Sequence, residues 1–201
     1  PDAFGYQCAA AAFSYQDISG TGTLVGQADD ISFTVELADP FLFHGSNLTS
    51  LVVNSNGWIS SPTNGSPSLE QARNEVAVAN VAPPNAFAHV FWDDLDSSSA
   101  CLNGGIWFQD FTDYAIVQWK TDRYPCQGTP DYDFEIKLFD GGNIEYHYNT
   151  MPNGGSSGAA GLEAPAGEAG LQYSFHQALL ASGSAERFVY PPATPTSIAS
   201  A

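Results

Sequence analysis

Positive charge is what this chain has least of. Lys and Arg total 5 in 201 residues against 22 Asp and Glu, giving a net charge of −17. A field of that sign repels nucleic acid and anionic lipid, and it leaves no basic patch from which counterions could be released. Nucleic-acid binding is thereby excluded as a reading. No stretch approaches the 18 consecutive apolar residues that would span a bilayer, so no membrane insertion is expected. Helical periodicity is also scarce: only "SPSLEQARNEVAV" (66–78) reads as a helical turn or two, with Ser68 as its cap. The four histidines, His44, His89, His147 and His176, form no H-x-H or HExxH pair, so zinc has no local signature. No G-x-S-x-G elbow occurs, and "DISGTGT" (17–23) lacks the second copy that an aspartic-protease dyad requires.

What is present is a period of two. "ISFTVEL" sets Ile31, Phe33, Val35 and Leu37 on one face of a half-buried strand. "LTSLVVNSNGWISS" reads as two strands joined at residues 54–57, where Asn-Gly turns the chain cheaply. "AFAHVFW" is a short core strand, and "AGLQYSFHQ" and "ERFVY" read as closing strands. In "DYDFEIKLFDGGNIEYHYN", a loop at 141–143 puts Phe134, Ile136 and Leu138 on one face with Tyr148, Tyr146 and Ile144. Gly and Pro total 32 (19 and 13), scattered as turn punctuation. The expected fold is an all-β, antiparallel β-sandwich of jelly-roll type with little helix. Residues 1–190 form one domain in this reading. The uncharged, Pro/Ser/Thr-rich residues 191–201 form a flexible tail. The start at Pro1, with no initiator Met or signal peptide, suggests a processed product.

Three cysteines are enough for one bridge. Between Cys101 and Cys126 lie two strand-like runs, 106–111 and 114–120, meeting at a turn near Thr112. A hairpin about that turn pairs residues whose numbers sum to about 225, and the two cysteines sum to about 227. A Cys101–Cys126 disulfide follows, and with it an oxidising compartment. Cys8 is left over. An unpaired thiol beside the small-residue run "CAAAAF" marks residues Cys8 to Phe13 as a candidate assembly segment, one that could add as a strand to a neighbouring sheet edge.

Three groups of residues invite a chemical reading. "FWDDLD" (91–96) places Asp93, Asp94 and Asp96 behind two aromatics. Either Phe91 and Leu95 enter the core while the aspartates cap and solvate a turn, or the carboxylates hold calcium as a cofactor. A catalytic acid pair is the third alternative. Trp107 and Trp119 are assigned to the less apolar faces of their strands, which makes them candidate partner-facing aromatics suited to a protein or glycan surface. Glu135 with Gln118 is the acid/base pair that a hydrolase with a dispersed site would use.

Taken in order, "FGYQC", "FSYQDISGTGT", "DDISFTVEL", "PFLFHGSNLTSLVVNSNGWIS", "FWDDLD", "GGIWFQ", "AIVQWK", "FEIKLFDGGNIEYHY" and "AAGLEAPAGEAGLQYSF" resemble a module of bacterial secreted and surface proteins. The middle of the series is similar to the nidogen-like and plexin-domain-containing extracellular domains of animals. The resemblance implies a secreted or cell-surface β-sandwich in an adhesive, structural or protease-accessory role, with no general catalytic assignment. Partners would be a protein or glycan surface, or a further copy of the chain.

Overall fold

The computed structural model describes residues 1–62, 77–81, 85, 87–126 and 128–191. The helical turn expected at 66–78 falls almost wholly outside them, as does the tail beyond Pro191.

The chain folds as two antiparallel sheets laid face to face, the all-β sandwich expected from the period of two. The larger sheet is built from β1 (Gln7–Ala10), β2 (Thr23–Gly26), β8 (Gly105–Asp110), β9 (Tyr114–Arg123), β10 (Tyr132–Phe139), β11 (Ile144–Thr150) and β14 (Ser184–Val189). Its order is β1-β14-β11-β10-β9-β8-β2, and the short β7 (Leu95–Asp96) pairs with the end of β9. The smaller sheet runs β13 (Gly170–Phe175), β12 (Ala159–Glu163), β6 (Phe87–Trp92), β5 (Trp58–Ser60), β4 (Ser46–Asn54) and β3 (Ser32–Phe43).

Registers follow the side-chain pattern. Phe134, Ile136 and Leu138 lie opposite Tyr148, Tyr146 and Ile144. The β8–β9 hairpin pairs Ile106 with Trp119 and Trp107 with Gln118, the register derived above from its turn. That register brings the Cys101 and Cys126 Cα atoms to 5.2 Å, and the disulfide is formed. At the β4–β5 turn, Gly57 has φ +79°, and a Cβ there would lie 2.0 Å from the Phe91 carbonyl oxygen, so only glycine fits.

Alternation puts apolar side chains between the sheets. Val117, Trp119, Phe134, Ile136, Tyr146, Tyr148, Val90, Phe91 and Leu162 form one cluster of fully buried residues. Trp119 stacks on Phe134 at 5.4 Å and Phe91 on Tyr132 at 5.2 Å. The polar tips of three rings cross the core: the Trp119 indole N–H donates to the Asn54 carbonyl at 2.9 Å, Tyr148 O–H to Val90 at 2.9 Å, and Tyr146 O–H to Gly161 at 2.8 Å. Large apolar bodies thus stay buried without leaving their polar atoms unbonded. Ile31 departs from the expected stripe. It lies just ahead of β3 and is 48% exposed, while Phe33, Val35 and Leu37 face inward.

Candidate functional site: an arm strapped across the larger sheet

Strands β9, β10 and β11 pair so that Gln118, Glu135 and His147 fall in one row across the sheet, on the side away from the core. All three are fully buried. The cover is the N-terminal arm, which leaves β1 and crosses the outer face of the sheet before reaching β2.

The row holds the arm by its backbone. Ser14 N–H donates to His147 Nδ1 at 3.3 Å, Gln16 N–H to Glu135 Oε1 at 3.1 Å, and Ile18 N–H to Gln118 Oε1 at 2.9 Å. Every second amide of an extended segment therefore meets the next strand of the sheet. Lys137, 3.4 Å from Glu135, donates to the Ser14 carbonyl. Lys120 reaches Asp17 at 2.8 Å and the Ser19 hydroxyl at 2.9 Å. These are the only two lysines of the chain, and both hold the arm. Side chains add specificity: Tyr15 O–H donates to Asp133 at 2.7 Å, Gln118 Nε2 donates to the Tyr15 oxygen at 2.6 Å, and Tyr114 O–H donates to Gln16 at 3.1 Å.

Electrostatics follow from the cover. Burial raises the Glu135 carboxyl to about 7, against the pull of Lys137 and the Gln16 amide. Burial and the Lys137 charge lower His147, against the pull of Glu145. For Asp17, burial acts upward, but hydrogen bonds from Lys120, Ser19 and Gln118 outweigh it and hold the carboxyl well below its ordinary range.

Further upstream the arm has a second anchor. Tyr6 is fully buried, its ring 4.9 Å from Tyr190 and 5.1 Å from His44, with its O–H donating to the Gly142 carbonyl at 2.9 Å. Between the anchors, β1 pairs with β14, and all four of its residues are exposed. Cys8 is a free thiol there, 3.6 Å from Glu186, and burial followed by that carboxylate pushes it up to about 11. Phe13 is 43% exposed and stacked on Tyr15. Cys8 and Phe13 thus both belong to the arm, whereas nothing in residue spacing announced the row beneath it. Glu135 and Gln118 were paired in the sequence as acid/base candidates; the register makes them neighbours and adds His147, beneath an arm that the sequence did not place over them.

The remaining candidates separate. Trp119 is in the core, not at a partner face: it pairs with Ile106, so its side chain must follow that residue inward. Trp107 pairs with Gln118 and looks outward. It lines an open groove of about 390 Å³ with Leu24, Gln27, Asn103 and Thr129.

In the acidic loop Phe91 and Leu95 enter the core as expected, but the aspartates turn inward more than they solvate. Asp93 pairs with Arg123 at 3.1 Å. Asp96 accepts from the Ser98 amide at 2.8 Å and the Cys126 amide at 3.1 Å, tying the disulfide loop to β7. Asp94 instead gathers with Asp29 and Asp30, one carboxylate oxygen of each lying within 4.8 Å of the others. That is one fragment of the six to eight oxygens calcium takes, and Asp94 is the one member shared with the expected set.

The fold and the disulfide define a class first: an antiparallel β-sandwich of the kind found in extracellular modules, here with an arm laid over its larger sheet. The family model described as NIDO related matches residues 5–199, and the chain belongs to that nidogen-related family. No curated protein and no solved structure matches the chain. Family and disulfide together are consistent with an extracellular location.

Proposed function

We propose that this chain is a non-catalytic extracellular module that works by contact, as an adhesive or structural subunit that joins to further copies of itself. The observation that supports this reading most is the external arm. Glu135 and Gln118, the pair best suited to acid/base work, bond to backbone amides of that arm and line no open cleft. The arm meanwhile presents an exposed strand with a free thiol at the sheet edge, and an exposed edge is a template for pairing with another chain. The test is negative-stain electron microscopy beside sizing at high protein concentration, with and without EDTA. Ordered assemblies are expected; strictly monomeric protein under all conditions would remove the structural-subunit reading.

The outward Trp107 in its groove supports a second reading, a glycan-binding surface. It predicts quenching of tryptophan fluorescence by a polysaccharide, abolished in Trp107→Ala. No response across a broad glycan panel would remove it.

A further inference from the structure

Arm and groove are separable parts. Of residues 1–18 only Tyr6 and Ile18 are buried. The body beneath has its own core on the opposite side of the same strands, where Trp119, Phe134, Ile136, Tyr146 and Tyr148 pack against the smaller sheet. The outer-face groove holds the arm through main chain, at the amides of residues 14, 16 and 18 and the carbonyl of residue 14, and through the side chains of Tyr15, Gln16 and Asp17, all of which a second copy also carries. A receptor that addresses backbone holds an extended segment equally well whichever molecule supplies it.

The charges match in the same sense. The arm carries Asp2 and Asp17 and no lysine or arginine, while the groove contributes Lys120 and Lys137 to a molecule of net charge −17. Copies repel overall, yet Asp17 of an incoming arm would meet Lys120 of its neighbour, as the two do at 2.8 Å within one chain. The connection to the body is a turn through Gly20 and Gly22, closed by Thr21 and Gly22 amides bonding to the Ile18 carbonyl at 3.1 and 2.7 Å. Residues 20 and 21 are exposed, and a Cβ at Gly20 would meet nothing within 4 Å. A hinge there moves the whole arm, taking β1 from the sheet edge and Tyr6 from its buried seat, and leaves the strands from β2 onward in place.

We propose that the arm is exchanged between copies: residues 1–18 of one chain lie in the outer-face groove of another, paired through β1 to its β14 and held by its Gln118–Glu135–His147 row. The same hydrogen bonds and ion pairs that hold the arm within one chain form again between two, so the exchange costs the hinge change, the work against charge repulsion and the freedom of motion lost when two chains join, the last of which high protein concentration offsets. This rests on the contact reading above and names the partner as a second copy.

A register pair supplies the test. Ala10 lies opposite Glu186, so cysteines at 10 and 186 are placed to bond. Full-length C8S/A10C chain is mixed with a mass-labelled C8S/E186C chain at about 0.5 M salt, which shortens the range of repulsion to a few Å, and then oxidised. A disulfide between the unlike chains whose yield depends on the acceptor's Gln118 and Lys120 requires the arm of one to reach the other. A covalent heterodimer is expected. Its yield should fall about tenfold when the acceptor also carries Gln118→Ala, the loss of one buried hydrogen-bond partner. It should fall a few-fold with Lys120→Met, a change at a partly exposed side chain that the fold tolerates. C8S/A10C/E186C checks the geometry by closing within one chain.

No heterodimer, with that internal bond forming readily, overturns the exchange; so does a heterodimer whose yield ignores both acceptor changes. Filaments by microscopy without the heterodimer would leave the contact reading standing and sink this one. A heterodimer without larger assemblies would keep the exchange as a closed pair and remove filament growth.

Discussion

Strands β9, β10 and β11 bury both of their faces, and the two burials are made of opposite chemistry. Inward they offer Val117, Trp119, Phe134, Ile136, Tyr146 and Tyr148; outward they offer Gln118, Glu135, Lys137 and His147, no less hidden from water. The inner face is covered by a second sheet of six strands, the outer by one extended segment. Apolar burial is non-directional and proportional to area, so the inner face needs only a partner of the right shape. Polar burial is directional. Each buried donor or acceptor must find its mate, and a missing mate costs the desolvation of the group left behind. The inner face therefore determines whether the chain folds, and the outer face determines where eighteen residues of arm come to rest.

Four experiments probe that difference. The largest effect is expected from Phe134→Ala, which empties a site under Trp119 and Phe91. It should cost about 3–5 kcal/mol in denaturant unfolding. A loss below about 1 kcal/mol would mean that the inner face is not the main source of stability. Next comes the disulfide. C101S/C126S opens a loop with a sequence separation of 25 and should cost about 2–4 kcal/mol, with the β8–β9 hairpin loosening first in hydrogen exchange.

Gln16→Pro belongs to the outer face alone. It deletes the amide that Glu135 accepts without touching the body. Amides of residues 14 and 18 should lose protection while the global unfolding midpoint moves little, and Gln16→Ala, which keeps the N–H, should resemble wild type. A global collapse in Gln16→Pro would show that the two burials are one cooperative unit.

The smallest effect is the pH dependence of the arm. Glu135 is raised to about 7 beneath the arm, and its ordinary value is 4.5. A raised carboxyl favours the covered state while protonated. Its contribution is therefore full below about pH 4.5 and is lost as pH rises through about 7. His147, lowered under the arm, acts in the opposite sense, and its contribution is lost as pH falls. Arm protection, corrected for intrinsic exchange, should thus peak at intermediate pH, and Glu135→Gln should flatten only the upper limb. An unchanged upper limb in that variant would remove Glu135 from the account.

How much of this was legible beforehand depends on which chemistry encoded it. The inner face is written as alternation. Phe134, Ile136 and Leu138 against Ile144, Tyr146 and Tyr148 could be paired from the loop between them, and the Cys101–Cys126 bridge from the hairpin enclosed by it. Alternation along β9 alone misplaces Trp119. Its cross-strand partner Ile106 settles the matter, and the same register that predicts the disulfide puts the indole inside. The acidic loop misleads for a related reason: Asp93, Asp94 and Asp96 are neighbours in sequence, but Arg123, Asp29, Asp30 and the Cys126 amide draw them three ways. Asp17 could be read as a turn former, and it does bond to the Ser19 amide at 2.9 Å, but its lysine comes from a strand 103 residues away.

By itself the sequence determined the class of fold, the strand pairs joined by short turns, the disulfide and the sign of the molecular field. These depend on side-chain alternation, on turn residues and on composition, all of which act over a few residues or over the whole chain at once. Only the tertiary structure decided that Gln118, Glu135 and His147 form a row, that both lysines hold one arm, and that the arm, after pairing through β1 at the sheet edge, turns to cross the outer face of the strands. Directional bonds between groups about 100 to 133 residues apart leave no periodic trace, because each is made by one donor and one acceptor that only the finished sheet brings together.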